Sequence, residues 1–292
     1  MRLLGLSAAL KAQTAHSWGL AMRQHCSSLS NRELQVSLVQ GSEGIFDLSL
    51  KRPKAKNALG RQLLDELLQA THDLMHSTEA RCVLLSSKVE GVFCAGADLK
   101  ERAKMSQTET AVFVSKLRAA FLALENLPMP TIAVVDGLAL GGGMELALSC
   151  DLRVAGSQAA FAMPETCLGI IPGAGGTQRL PRLIGLPKAK ELIFTGRRVQ
   201  FEEAHSMRLV EHAVHPGQSA HDHALSLAQD IAKGAPIAQR MAKTAMQQGS
   251  GVSLQAGMQI EQLCYAQVIP TEDRLEGLRA FAEKRAPKFT GR

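Results

Sequence analysis

Short apolar runs and stretches with helical spacing alternate along the first two thirds of the chain. Between residues 34 and 50, apolar and polar residues alternate around a glycine-containing turn, which predicts a β-hairpin. Leucines recur at helical spacing from Leu63 to Met75, which predicts an amphipathic helix. Strands that alternate with helices favour a layered α/β fold. The other elements predicted here are strands at 82–85, 131–135 and 152–155 and helices at 107–127 and 144–150.

Beyond about residue 187 the spacing of apolar residues is almost entirely helical. This change divides the chain into a leader at 1–32, a strand-containing core at 33–215 and a helical C-terminal region at 216–292. No apolar run approaches the roughly 18 residues that a membrane span requires, so none is predicted. The helices predicted in the last third lie at 187–195, 220–233, 237–248, 254–267 and 274–284.

The formal net charge of +6 is unevenly distributed along the chain. The leader holds four basic residues and no acidic one, which leaves 29 basic against 27 acidic residues in the rest. Arginines, serines and an apolar stripe without acidic residues are typical of a mitochondrial transit peptide, although a disordered tail is the alternative. The leader therefore predicts a mitochondrial protein whose mature N-terminus lies between residues 24 and 34.

Cysteine and histidine spacing gives no sign of a metal site. The six cysteines lack CxxC spacing, so we expect small buried hydrophobic side chains rather than disulfides or zinc ligands. His72 and His76 are four residues apart, and His221 and His223 flank an aspartate, but neither pair has a third ligand at a recognisable spacing. We predict that both pairs lie on solvated surfaces. A G-x-S-x-G motif is absent, so a serine hydrolase is unsupported.

Two segments rich in small residues follow predicted strands. The first, at 93–100, reads F-C-A-G-A-D-L-K and allows close approach to its backbone amides. The second, at 136–147, runs through three glycines into a helix whose first N–H groups could form half of an oxyanion hole. A phosphate cradle is the competing use, but neither GxGxxG nor a P-loop ending is present. A plain strand–helix turn is also possible, but it leaves Glu145 without a special task.

Glu165 stands in a third segment, at 163–176, directly after a proline and among apolar residues. A carboxylate among apolar neighbours tends to have a raised pKa, so it can hold a proton near neutral pH and act as a general acid. A glutamate stabilised by the dipole at a helix start fits the same pattern. The residues of this segment alone leave both interpretations open.

The three segments together resemble, in order and spacing, the crotonase superfamily. The resemblance rests on C-A-G-A-D at 94–98, G-G-G-x-E-L at 141–146 and P-E-x-x-L-G-x-x-P-G-x-G-G-T-Q-R-L at 164–180. It extends to R-P-x-x-x-N-A-L at 52–59 and to the closing segment at 273–285. It implies an α/β fold with a (ββα)-repeat spiral core and a helical C-terminal trimerisation region. Within the superfamily, the chain most resembles the mitochondrial enoyl-CoA and methylglutaconyl-CoA hydratases.

The resemblance also implies a role for individual residues. The backbone N–H groups of Ala97 and Gly142 match the family's oxyanion hole, and Glu145 and Glu165 match its two catalytic glutamates. The implied coenzyme A and substrate contacts are Ala95, Ala97, Lys100, Gly142, Phe281 and Lys284. In the family, a neighbouring subunit often contributes the residues that match Phe281 and Lys284.

The activity implied is hydration of an enoyl-CoA thioester in the mitochondrial matrix, in fatty-acid or branched-chain amino-acid breakdown. Coenzyme A arrives with the substrate, no separate cofactor or metal is expected, and a homotrimer or homohexamer is implied. We expect segment 101–125 and the helices after residue 250 to shape the acyl pocket. An enoyl-CoA isomerase or another crotonase reaction is the alternative. RNA binding, known in the methylglutaconyl-CoA branch, is disfavoured because the corresponding stretch lacks a basic face. It carries Asp65, Gln69, Met75 and Glu79.

Overall fold

The computed structural model describes residues 32–292. Nearly all of the predicted leader lies outside the described residues, as do most of the range predicted for its cleavage and Cys26. The boundary predicted at residue 215 remains a prediction. No helix within the described part of the chain is both long and apolar enough to cross a membrane.

Ten short strands form two sheets within residues 32–292. They are β1 (Leu34–Leu38), β2 (Ile45–Leu50), β3 (Cys82–Ser87), β4 (Gly91–Cys94), β5 (Thr131–Val135), β6 (Gly137–Leu140), β7 (Leu152–Ala155), β8 (Ala160–Ala162), β9 (Val199–Gln200) and β10 (His212–Ala213). The larger sheet has the order β1-β2-β3-β5-β7-β10, and the smaller has the order β4-β6-β8-β9. The predicted hairpin is confirmed, because β1 and β2 pair antiparallel.

Consecutive strand pairs divide between the two sheets and are repeated along the chain. The strands β3, β5 and β7 run parallel in the larger sheet, and each is followed closely by β4, β6 or β8 in the smaller one. Helices then return the chain to the next pair, which confirms the predicted (ββα)-repeat core. The sequence did not predict β4, β6 or β8, because each has only three or four residues and begins with glycine or alanine. Residues 137–140 were expected to belong to a glycine loop, and they form β6 instead.

Eleven α-helices lie within the described residues. They are α1 (Arg61–Met75), α2 (Leu99–Arg102), α3 (Gln107–Glu125), α4 (Gly142–Leu148), α5 (Gly176–Ile184), α6 (Leu186–Thr195), α7 (Phe201–Ser206), α8 (Ala220–Ala232), α9 (Pro236–Gly249), α10 (Leu254–Val268) and α11 (Glu272–Ala282). The helices predicted from periodicity are confirmed to within two residues at each end. A capping box starts α3, since Ser106 and Glu109 each accept from the other's backbone N–H.

The main apolar core fills the space between the two sheets and the helices α1, α3 and α4. A smaller core lies on the other face of the larger sheet, where Ile45 and Leu84 pack with Ala224 and Ala228 of α8. His221 lies in the first turn of this helix and is partly exposed, with its Nε2 3.7 Å from a carboxylate oxygen of buried Asp47. The predicted solvated surface therefore holds only in part for His221, and its contact with Asp47 was not predicted.

The other cysteine and histidine predictions are confirmed at all but one of the described positions. Cys82, Cys94, Cys150 and Cys264 are free and buried, as expected. Cys167 is exposed, because the short helical turn that carries it lies at the surface. The prediction of a buried side chain is therefore wrong at this position. The side chains of His72, His76 and His223 are exposed, as predicted.

Candidate active site

A cavity of about 540 Å³ opens where the C-terminal ends of β4 and β6 meet the 3₁₀ helix Pro164–Leu168. It brings together all three segments that the sequence singled out. The predicted residues that line it are Ala95, Ala97, Gly142, Glu145 and Glu165.

The first loop is held by the backbone that precedes α1. Ala95 donates its N–H to the carbonyl of Lys56 at 3.0 Å, and Leu59 donates to the carbonyl of Gly96 at 2.7 Å. Asp98 then closes the loop, because its N–H reaches the Leu59 carbonyl and its side chain caps α2. The N–H of Ala97 lies between these bonds and has no acceptor within residues 32–292.

The second segment places another unpaired amide beside the first. The N–H of Gly142, at the start of α4, likewise has no acceptor in the described part of the chain. A Cβ atom at Gly142 would lie 3.7 Å from the nitrogen of Ala97 and 2.9 Å from Leu59 Cδ1. The Gly142 backbone therefore lies within about one side-chain atom of the Ala97 amide, and the two N–H groups are close enough to face one space. This arrangement can stabilise an oxygen that gains negative charge.

Glycine is needed one residue earlier for a different reason. Gly141 has a φ of +50°, which L side chains rarely adopt. A Cβ atom there would lie 2.8 Å from Glu165 Oε1, so any side chain would collide with that carboxyl group. The glycine run thus admits the Glu165 carboxyl group to the cavity.

Glu145 is almost completely buried and firmly held. Its Oε1 accepts hydrogen bonds from the N–H groups of Ala174 at 2.8 Å and Gly176 at 2.7 Å. Burial raises the pKa of Glu145, and these two amides and the positive charge of Arg179 act in the opposite direction. Donors aimed at a carboxylate favour its ionised form, which suits a general base.

Glu165 has a contrasting environment, although it is only 7% exposed. Its Oε2 is buried and has no hydrogen-bond partner in the described residues. Burial, with a smaller contribution from the negative charge of Glu145, raises the pKa of Glu165 to about 7. A carboxyl group that retains its proton near neutral pH can act as a general acid.

Two arginines hold the loop at 173–176 that positions Glu145. Arg118 of α3 donates its Nε–H to the carbonyl of Gly173 at 2.5 Å. Arg179 of α5 donates from Nη1 to the carbonyl of Ala174 at 2.9 Å and forms an ion pair with Glu125 at 2.6 Å. These roles were not predicted, because the Arg118–Gly173 and Arg179–Glu125 contacts join residues more than 50 positions apart in the chain.

The remaining predicted contacts do not line this cavity within a single chain. Lys100 is exposed on α2, and Phe281, 87% exposed, and Lys284 lie at the end of α11. Segment 101–125 lines the cavity through Arg102, Phe113, Val114, Leu117 and Arg118, and no described residue after 250 does so. That the two regions shape an acyl pocket stays a prediction.

Comparison with known proteins gives consistent matches over most of the chain. The family model described as "Enoyl-CoA hydratase/isomerase" matches residues 40–292. A Mus musculus protein named "Enoyl-CoA hydratase domain-containing protein 2, mitochondrial" is 50% identical over 283 residues, covering 94% of this chain and 96% of the mouse protein. The Homo sapiens "Methylglutaconyl-CoA hydratase, mitochondrial" is 51% identical over 263 residues, covering 89% and 78%. A crystal structure of enoyl-CoA hydratase from Bacillus anthracis matches with a TM-score of 0.86 and 45% identity, covering 89% of this chain and all of that one.

Proposed function

The chain belongs to the enoyl-CoA hydratase/isomerase family, and we propose that it is a lyase that adds water across the 2,3 double bond of an enoyl-CoA thioester. The observation that carries this proposal is the unequal pair of glutamates at one cavity. Glu145 is held by two amide donors, whereas Glu165 has an unpaired oxygen and a pKa raised to about 7. Hydration needs one carboxyl group of each kind, because a proton leaves water and another reaches carbon.

The proposed reaction begins at the thioester carbonyl. As water attacks C3, negative charge develops on the carbonyl oxygen, where the N–H groups of Ala97 and Gly142 would stabilise it. One such donor is typically worth about 3 kcal/mol of the activation barrier. Glu145 takes a proton from the attacking water, and Glu165 delivers its proton to C2. Because the two carboxyl groups interact, their protons come off as a coupled pair.

Isomerisation of an enoyl-CoA is the competing reaction, since the same oxyanion hole can stabilise an enolate that is reprotonated at another carbon. Two glutamates with unequal hydrogen bonding support hydration, because moving a proton between carbons of one substrate needs only one carboxyl group. The test supplies either a trans-2-enoyl-CoA or a 3-enoyl-CoA and identifies hydration by the product's mass and isomerisation, which leaves the mass unchanged, by the ultraviolet absorbance of the conjugated 2-enoyl thioester. We expect the 2-enoyl thioester to gain one water. Conversion of the 3-enoyl thioester without net hydration would overturn the proposal.

The coenzyme A portion of the substrate is proposed to contact Ala95, Ala97 and Lys100 of the first loop. Phe281 and Lys284 are proposed to contribute from a neighbouring subunit. The exposure of Phe281 at the end of α11 supports this, because the side chain is available to another copy. The substrate brings its own coenzyme A, and the proposed chemistry calls for no further cofactor.

We propose a homotrimer or a dimer of trimers assembled through the C-terminal helices. Large apolar side chains are exposed along α10 and α11, and burying them would remove apolar surface from water. They include Leu254 (83% exposed), Met258 (55%), Tyr265 (64%) and Leu278 (58%). Sedimentation should show the trimer or hexamer. A fully active monomer at nanomolar concentration would contradict this assembly.

The proposed location is the mitochondrial matrix, in fatty-acid or branched-chain amino-acid breakdown. The composition of the leader and the mitochondrial relatives at about 50% identity support it. Mass spectrometry of the endogenous protein should find a mature N-terminus between residues 24 and 34. Intact Met1 on most copies, in the cytosol, would contradict the location.

A further inference from the structure

The backbone segment 57–59 contacts both residues that supply the proposed oxyanion hole, although it takes no part in the proposed chemistry. Leu59 donates its N–H to the carbonyl of the residue before Ala97 at 2.7 Å, and its carbonyl accepts from the N–H of the residue after Ala97 at 3.0 Å. Leu59 Cδ1 also lies 2.9 Å from the position of a Cβ atom at Gly142, so it packs against that glycine. The position of segment 57–59 therefore sets where the Ala97 amide lies relative to the Gly142 amide.

The side chain of Arg52 joins this segment to the first loop. Its Nη1 donates to the carbonyl of Ala58 at 2.6 Å and lies 2.9 Å from Asp98 Oδ2. Its Nε lies 2.6 Å from Glu33 Oε1, and only 22% of the side chain is exposed. Asp98 directly follows Ala97, and its Oδ1 caps α2 by accepting from two backbone N–H groups. One partly buried guanidinium group therefore bonds to both chain segments that surround the Ala97 amide.

Asn57 fixes the backbone from which the Arg52 side chain extends. Asn57 is completely buried, and its φ of +54° lies in the left-handed region, which asparagine adopts more readily than most residues. Its side-chain oxygen accepts from the N–H of Arg52 at 2.8 Å, and its side-chain nitrogen donates to the carbonyl of Phe93 at 2.9 Å. Phe93 belongs to β4, which leads into the first loop. The two ends of the Arg52 contact are thus attached to the same strand and loop.

An oxyanion hole depends on the exact position of its donors. A catalytic group has to be held within about 0.5 Å of its productive position, and small displacements cost activity. A displaced donor weakens binding of the charge that develops in the transition state more than it weakens binding of the neutral thioester. The planar guanidinium group of an arginine holds its partners at fixed angles, which the ammonium group of a lysine does not.

We propose that Arg52 is a positioning residue for the oxyanion hole, which sets the place of the Ala97 amide through its bonds to Ala58 and Asp98. Arg52 does not line the cavity, so it acts through these neighbours. This role rests on the proposed hydratase function, because it presumes that charge develops on the thioester oxygen. The rival explanation is that Arg52 stabilises only the fold. Its loss would then lower the melting temperature and affect neutral and charged ligands equally.

Two thioesters that differ in the charge on their carbonyl oxygens separate these explanations. Butanoyl-CoA is neutral at this oxygen, and calorimetry gives its dissociation constant. Acetoacetyl-CoA loses a proton from C2 to give an enolate, whose negative charge is shared with the thioester oxygen. The enolate is distinguished from the unionised form by its ultraviolet absorbance, so its fraction on the protein can be titrated against pH. The pKa of bound acetoacetyl-CoA therefore reports the oxyanion hole without turnover.

The variants, made in the full chain, are Arg52→Gln, Arg52→Lys, Asp98→Asn and Arg61→Gln. Asp98→Asn retains an oxygen that can cap α2 but removes the charge that pairs with Arg52. Arg61 is the matched control, because it forms ion pairs with Glu101 at 3.5 Å and Glu109 at 3.3 Å and does not line the cavity. A melting curve verifies that each variant is folded. If Arg52→Gln does not fold, Arg52→Lys and Asp98→Asn provide the same comparison.

We expect the wild-type protein to lower the pKa of bound acetoacetyl-CoA below that of the free thioester. Arg52→Gln should weaken binding of the enolate by roughly 10- to 100-fold, the scale of a misplaced catalytic group, and move the titration to higher pH. Its affinity for butanoyl-CoA should change little. Arg52→Lys should retain part of the enolate binding, Asp98→Asn should lose a similar amount, and Arg61→Gln should lose none.

Equal losses for the two thioesters would assign Arg52 to the fold or to general binding and overturn the proposal. A lowered melting temperature with an unchanged titration would do the same. So would a wild-type protein that leaves the pKa of acetoacetyl-CoA unchanged, or an Arg61→Gln variant that moves the titration as far as Arg52→Gln does.

Hydration of a trans-2-enoyl-CoA is measured in parallel. The kcat of the Arg52 variants should fall together with their affinity for the enolate, whereas KM should change little. If the enoyl thioester is not hydrated while the enolate titration still depends on Arg52, the hydratase proposal fails and the positioning role stands. If it is hydrated and the titration does not respond to Arg52, the reverse holds.

Discussion

Asp47 and Glu165 are both buried carboxylic acids, 4% and 7% exposed, yet their pKa values move in opposite directions. Asp47, on β2, accepts hydrogen bonds from the hydroxyls of Ser86 at 2.7 Å and Ser49 at 2.9 Å. His221 and Lys88 each bring a nitrogen within 3.7 Å of its Oδ2. Although burial alone would raise the pKa of Asp47, these four partners lower it.

Glu165 experiences the same penalty of burial without comparable donors. Its Oε2 is unpaired in the described residues, and the nearby charge of Glu145 adds to the effect of burial. The comparison teaches that the donors and positive charges around Asp47 outweigh its burial, whereas nothing comparable offsets the burial of Glu165. Asp47 joins β2, β3 and the start of α8, and its oxygens have hydrogen-bond donors there. At the cavity, one oxygen of Glu165 has no donor, and this carboxyl group is available for proton transfer.

The largest expected effect comes from removing either cavity carboxylate. Glu145→Gln and Glu165→Gln retain size and polarity but cannot transfer a proton. Each should lower kcat on a trans-2-enoyl-CoA by at least roughly 100-fold, the scale of general acid–base catalysis. The double variant should lose far less than the product of the two single losses, because the residues act as a unit. Steady-state hydration kinetics provide the measurement.

Melting curves on the same variants separate chemistry from folding. The pKa of Glu165 is raised when the chain folds. The protonated side chain therefore contributes to stability below pH 4.5, and this contribution is lost as the pH rises towards about 7. Above pH 7, Glu165→Gln should therefore be at least as stable as the wild-type protein. A strongly lowered melting temperature would mean that Glu165 serves the fold.

Asp47→Asn should show the reverse, with lost stability and unchanged kcat. Asparagine loses the charge-assisted bonds, and the free energy of unfolding should fall by about 2 kcal/mol. Because the pKa of Asp47 is lowered, its carboxylate stabilises the fold above pH 3.8, and this stabilisation is lost as the pH falls. Because the pKa of His221 is raised, its charged ring stabilises the fold below pH 6.5, and this stabilisation is lost as the pH rises.

The difference in stability between Asp47→Asn and the wild-type protein should therefore be largest between pH 3.8 and 6.5. It should decrease above the pKa of His221. Urea denaturation at a series of pH values tests this. If the difference in stability is the same at all pH values, His221 does not contribute to it. A lowered kcat in Asp47→Asn would contradict the contrast between Asp47 and Glu165.

The smallest expected effect concerns the support of Glu145. Arg179→Gln removes the bond to the Ala174 carbonyl and a positive charge that lowers the pKa of Glu145. We expect kcat to fall roughly 10-fold with little change in KM, because the base is slightly displaced. The acidic limb of the kcat/KM profile should move to higher pH, since the pKa of Glu145 rises further.

Arg182→Gln on the same helix is the control for this change, because Arg182 contacts only the surface of α5. It should leave both kcat and the acidic limb unchanged. A lowered melting temperature in Arg179→Gln without movement of the acidic limb would reduce Arg179 to a purely structural role.

The sequence could predict features that depend on neighbours along the chain. Periodicity identified the long helices and the strands β2, β3, β5 and β7, and the family motifs identified Glu145 and Glu165. The strands of the smaller sheet were missed because Gly91–Cys94, Gly137–Leu140 and Ala160–Ala162 are too short and contain too many small residues to show a pattern.

Features that depend on distant contacts could not be predicted. The donors to Glu145 are 29 and 31 residues away in the chain, and Ser86 is 39 residues from Asp47. His221 was expected on the surface because nothing near it in the sequence indicates a buried carboxylate. Only folding brings α8 against the larger sheet and places His221 beside Asp47. The environments that distinguish Glu145 and Glu165 from Asp47 are consequently a property of the tertiary structure.

The pH dependence of kcat/KM tests the central claim most directly, because it reports the protonation states of the free enzyme. If Glu165 must carry the proton that reaches C2, kcat/KM should fall as the pH rises past about 7, where Glu165 loses it. The residual activity of Glu165→Gln should lack this basic limb and retain the acidic limb set by Glu145. A wild-type profile that stays level or rises through that pH would contradict the account, as would a basic limb that persists in Glu165→Gln.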